Sequence, residues 1–169
     1  MSWIQRHFKN YRNRKPWRFC WQITIEGFLV VVPFAFLLLL LDGGERSDLQ
    51  NVIGESVVEV LLISGVLFPI LETLVLQAFP VFVAKLFRAS FLVQILVAWI
   101  PFAILHFFAG ISVGICAGVI RGFYFSFTYT HWRQNSRWKA FWITSISHIL
   151  NNLVLLSLIL IVAFLIKKK

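Results

Sequence analysis

Phe68-Pro69-Ile70-Leu71-Glu72-Thr73-Leu74-Val75-Leu76-Gln77 is the stretch that decides the fold. It lies inside the apolar run from Val57 to Phe87 and carries one carboxylate at its middle. A run of that length has room for a bilayer-spanning helix, which needs about 20 apolar residues. A carboxylate at the centre of such a helix costs roughly 3 kcal/mol to insert, so Glu72 is a functional candidate by default. It is also the last acidic residue of the chain, since no Asp or Glu occurs from Thr73 to Lys169.

Composition agrees with a membrane setting. Of 169 residues, 59% are hydrophobic and only 14% charged, with 18 Phe and 7 Trp. The mean hydropathy is +0.81. A soluble domain of this size cannot bury that much apolar surface in one core. The long unbroken runs also differ from the short alternating strands of a membrane β-barrel. The expected fold is an all-α polytopic transmembrane bundle of about five helices. A sixth segment would arise if the second helix broke. The chain divides into a basic segment, 1–18, and a single helical domain, 19–169.

The net charge of +9 sits mainly at the ends of apolar runs. That placement fits a lipid surface better than nucleic acid, so no nucleic-acid partner is expected. Cys20 and Cys116 show no metal-finger or disulfide-framework spacing.

In chain order, Met1–Arg18 holds six Lys or Arg and no acid, which places the N-terminus in the cytoplasm. Helix 1 is expected over Phe19–Leu41, kinked at Pro33, with Glu26 near its cytoplasmic end. Asp42–Glu55 forms a short acidic outer loop. Helix 2 covers Glu55–Phe87. Some thirty residues would reach ~45–50 Å, so it tilts, projects, or breaks at Pro69 or Pro80. Helix 3 covers Ser90–Phe107. Helix 4 covers Ile111–Thr130, where Gly110, Gly114, Gly118 and Gly122 recur every fourth residue and permit close packing. Helix 5 covers Ala140–Ile166. The protein is expected to be a multi-pass integral protein of a bacterial plasma membrane, in contact with the bilayer throughout.

Glu72, His106 and His148 are the polar groups embedded in these runs. Counting from the helix ends puts them ~13–24 Å up their helices, close enough to share one layer. Phe102 precedes His106 by one turn, and Asn152 follows His148 by one turn, each on the face of its histidine. A histidine and an amide at that spacing can converge on one small ligand. Two His and one Glu could also hold a metal such as zinc with an open position. No HExxH motif accompanies them, so no cofactor is expected. A third reading makes the three groups interhelical hydrogen-bonding glue. Thr73 is expected to hydrogen-bond the backbone or Glu72, and Gln77 to orient the site. Arg121 is a cation eleven residues into helix 4. It is expected to point into the bundle at a carboxylate, Glu26 or Glu59, as a structural pair, or else to replace a cation missing at Gln77.

Glu72-Thr73-xxx-Gln77, Phe102-xxx-His106 and His148-xxx-Asn152, in this order, resemble the three motifs of the CAAX-protease and bacteriocin-processing family, also called Abi. The resemblance covers about residues 57–158. The family commonly has Glu-Glu-xxx-Arg in the first motif, where this chain has Thr73 and Gln77. The resemblance implies a metal-independent intramembrane endopeptidase related to the type II CAAX prenyl endopeptidases. It implies that Glu72 and His106 activate a water and that His148 and Asn152 stabilise the oxyanion. The implied substrate is a membrane-presented peptide or protein. The alternative is a non-catalytic relative serving as a membrane immunity or peptide-binding protein. A small transporter is weaker, because no inverted repeat is evident.

Overall fold

The computed structural model describes residues 15–41 and 57–167. These residues form five helices and no strand. We number them α1 (Pro16–Leu41), α2 (Val57–Leu86), α3 (Phe91–Phe107), α4 (Ile111–Arg133) and α5 (Arg137–Lys167). α1, α2, α4 and α5 are each long and apolar enough to cross a membrane. α3, at 17 residues, is about 25 Å long. The expected all-α bundle is therefore the fold, and its outer surface is apolar. Leu29, Phe36, Phe79, Leu86, Phe108 and Ile111 are all more than half exposed. Such a surface suits hydrocarbon and would be a liability in water. The basic residues 1–14, the acidic 42–56 loop and the last two lysines lie outside the described residues.

α2 runs through both of its prolines without a break, and the local geometry shows how. Proline lacks an N–H and its ring crowds the carbonyl four residues back. Here the helix widens to a π turn over Ile63–Leu67, just before Phe68-Pro69, and again over Thr73–Ala78, just before Phe79-Pro80. In each case the Phe N–H reaches back five residues, to the carbonyls of Ile63 and Leu74. The wider register removes the clash, and α2 stays continuous past Glu72. Among the described residues no sixth segment forms. α1 and α5 each begin three residues earlier than the hydropathy pattern suggests.

Short turns join α2 through α5. α2 ends in a Schellman motif. Ala89 N–H donates to the Ala84 carbonyl and Arg88 N–H to the Lys85 carbonyl, with Arg88 at φ 52°. Ser90 then caps α3, its Oγ accepting from Val93 N–H at 3.4 Å. Gly110, at φ +122°, makes the turn into α4, where a side chain would be strained.

In the assembled bundle α5 packs against α1, α2 and α4, while α3 packs against α2 and α4. The α3–α4 approach is set by the glycine row. A Cβ on Gly118 would come 2.9 Å from the Ala103 carbonyl oxygen and from His106 Cβ. One on Gly122 would come 2.6 Å from the Phe102 ring. The glycine face expected from the spacing is thus pressed against the helix that carries His106. The main core joins all five helices through Phe19, Ile23, Val81, Ala98, Phe127 and Ala140, among others. A second small cluster, Leu76, Phe102 and Phe125, sits beneath the polar groups described next.

Candidate active site

Glu72 ends the α-helical turn between the two π turns of α2. The turn faces α5, so its carboxylate meets His148. Glu72 Oε2 lies 3.4 Å from His148 Nε2. His148 is 4% exposed in its side chain and Glu72 32%, so the pair is closed on the histidine side and open on the carboxylate side.

Aromatic rings hold both histidines in place. His148 stacks on Phe125 with centroids 4.1 Å apart, and also meets Phe102 at 5.8 Å. His106 stacks on the same Phe102 at 4.3 Å. Phe102 is fully buried between them. His106 Nδ1 lies 2.8 Å from the Phe102 carbonyl oxygen, one turn back. A carbonyl only accepts, so Nδ1 carries the proton and neutral His106 keeps Nε2 as a lone-pair acceptor. The phenylalanine of the FxxxH spacing thus sets ring position, and its backbone sets the tautomer.

Glu72, His106 and His148 line one cleft of about 210 Å³, together with Phe102, Asn151, Asn152 and Arg121. The three groups that the sequence placed in one layer therefore share one cavity. Its apolar wall includes Val113, Leu155 and Leu156.

Asn152 is at the cleft, but it also does something the sequence did not show. Its Nδ2 donates to the Ser64 carbonyl at 3.0 Å. That carbonyl is free for a definite reason. Phe68 N–H has gone to Ile63, and the next donor in the π register would be Pro69, which has none. Asn152 supplies the missing donor and ties α5 to α2. Its Oδ1 accepts from Asn151 Nδ2 at 3.2 Å. Asn151 is itself buried and lies on the cleft, three residues after His148. That spacing shares a helix face, and it was the available signal for Asn151. Ser64 had no signal, because only its backbone takes part.

Thr73 and Gln77 are completely buried on α2. Thr73 does not make the hydrogen bond expected of it. Its Oγ1 has no partner, nor has either amide atom of Gln77.

Arg121 is buried in the bundle, as expected, but a backbone carbonyl takes the place of a carboxylate. Nη1 donates to the Thr24 carbonyl at 3.0 Å, and the guanidinium lies 4.0 Å from the Phe28 ring centroid. Glu26 accepts from Gln22 Nε2 at 2.8 Å within α1. Among the described residues no group of three or more His, Cys, Asp or Glu side chains is set to hold a metal ion.

Chemically, the cleft offers a carboxylate, an acceptor nitrogen on His106, a second histidine and two amides. Set against protein-family models, curated proteins and solved structures, the chain matches none of them.

Proposed function

We propose that this protein is a glutamate-dependent intramembrane endopeptidase of the CAAX-protease and bacteriocin-processing type. The observation that carries the reading is the Glu72–His148 contact at 3.4 Å, with His106 on the same cleft. Glu72 accepts a proton from a water held between it and His106 Nε2. The water oxygen attacks the scissile carbonyl carbon, and the carbonyl π electrons move to oxygen. As Glu72 becomes protonated it accepts hydrogen bonds less strongly. His148 Nε2–H then turns from the carboxylate to the developing oxyanion, joined by the second N–H of Asn152. Collapse of the tetrahedral intermediate breaks the C–N bond, and the proton held by Glu72 goes to the leaving amine. The products are a carboxylic acid and an amine, with no cofactor consumed.

The substrate is a peptide or protein segment presented within the bilayer. The test is processing in cells: the termini of membrane and secreted peptides are compared between a deletion strain and strains complemented with wild-type, Glu72→Gln or His106→Ala protein. The reading expects a set of termini that only the wild type restores. Full restoration by both variants would refute it.

One observation favours a second reading, a membrane protein that binds a peptide without cutting it. Asn152 and Glu72 already have partners inside the protein, Ser64 and His148, and so could act as interhelical ties. Under that reading both variants keep the biological effect, provided they remain folded.

A further inference from the structure

Arg121 is the only Lys or Arg that is buried among the described residues, at 4% exposure. A guanidinium has five N–H donors and no acceptor, and a buried charge is costly unless it is paired and hydrogen-bonded. Here the support is incomplete. Nη1 has the Thr24 carbonyl and the ring of Phe28 lies under the group, but Nη2 has no partner. No carboxylate of the described residues is within ion-pair distance of it, and Glu72, which lines the same cleft, faces His148 instead. The backbone is also shaped for this cation. A Cβ on Gly27 would run into the guanidinium, so glycine leaves the room that lets Arg121 lie between α1 and the cleft. The result is a positive charge fixed by backbone and ring contacts, with no counter-charge among the described residues, on a cleft that also holds His106, His148 and Asn151.

We infer that Arg121 forms the anion subsite of this cleft and takes a carboxylate of the bound peptide. The inference rests on the peptide reading above. A planar fork of donors matches a carboxylate, and such charge-assisted bonds are about twice as strong as neutral ones. The cleft, at about 210 Å³, is smaller than the ~300–1,000 Å³ of drug-sized ligand pockets. It therefore holds a short piece of chain, and the carboxylate belongs within a residue or two of the backbone at Glu72. It is either the C-terminal carboxylate or an Asp or Glu side chain.

The experiment uses the full chain in nanodiscs of zwitterionic lipid at pH 7, with binding read by titration calorimetry. Four probes are compared: N-acetyl-Leu-Leu-Leu as free acid and as C-terminal amide, and the C-terminal amides of N-acetyl-Leu-Asp-Leu and N-acetyl-Leu-Asn-Leu. The expected result is that an acid binds about tenfold or more tighter than its neutral twin. A preference in the first pair assigns the C-terminal carboxylate, and one in the second pair assigns a side chain. Arg121→Gln removes the preference, while Arg121→Lys keeps part of it. Equal binding within both pairs by the native protein overturns the proposal, with no variant required. An undiminished preference in folded Arg121→Gln overturns it as well. Acid-selective binding by a protein that cuts nothing leaves the subsite standing and removes the peptidase reading. Cleavage without acid preference does the reverse.

Discussion

Asn152 donates its side-chain amide to the Ser64 carbonyl, 88 residues earlier in the chain, at 3.0 Å. The bond exists because Pro69 leaves that carbonyl without a backbone donor. Asn152→Ala should therefore destabilise the protein by about 1 kcal/mol, the net contribution of a part-buried hydrogen bond. Pro69→Ala restores an N–H that can serve Ser64 directly. In that background Asn152→Ala should cost less, with a coupling of about 1 kcal/mol measured by a double-mutant cycle on unfolding in mild detergent. Additive effects would show that Asn152 does not substitute for the proline's missing donor.

Gly118 sets the distance between α4 and the helix of His106. Its added Cβ would meet a backbone oxygen and His106 Cβ at 2.9 Å, neither of which can swing away. Gly118→Ala should cost about 1–3 kcal/mol by overpacking and should lower peptide cleavage by displacing His106. Gly110→Ala strains a turn with φ +122° but meets no neighbour. It should lower the thermal midpoint while leaving the activity of the folded fraction unchanged. Equal activity losses per folded protein in both variants would separate His106 from the glycine row.

Thr73, Ser126 and Thr144 are completely buried with unpartnered hydroxyls. Replacing an unsatisfied buried hydroxyl with an apolar group of similar shape removes a desolvation cost. Thr73→Val and Thr144→Val should be neutral or stabilising by up to about 1–2 kcal/mol in thermal unfolding. A loss of more than about 1 kcal/mol in either would mean that its hydroxyl is bonded in the folded protein.

Glu72→Gln and His148→Ala remove opposite sides of one 3.4 Å contact. If they act as a unit, the double variant should be no slower than the slower single variant, each losing about 100-fold or more in kcat/KM. Multiplicative losses would place the two residues in separate steps.

The helices, their number and the glycine face on α4 were legible in the sequence because hydropathy runs and a four-residue glycine repeat report directly on burial. The site was partly legible. Glu72, His106 and His148 stood out as polar groups in apolar runs, and the structure gathers them on one cleft. The rest depends on backbone geometry. The continuity of α2 through Pro69 and Pro80 comes from π turns that no residue type announces. The Ser64 carbonyl has no side-chain signature at all, so the second role of Asn152 was hidden. Arg121 was legible as an oddity, but a sequence cannot show that a carbonyl and a phenyl ring take the place of a carboxylate.

The central claim is that Glu72 and His106 activate water for peptide hydrolysis in the membrane. It is tested most directly by incubating the purified protein, in lipid vesicles, with a mixture of hydrophobic peptides in H₂¹⁸O and reading new C-termini by mass spectrometry. The account predicts new C-terminal carboxylates carrying ¹⁸O from the wild type, and their loss with Glu72→Gln and His106→Ala. Labelled termini no more abundant with the wild type than with folded Glu72→Gln would contradict it.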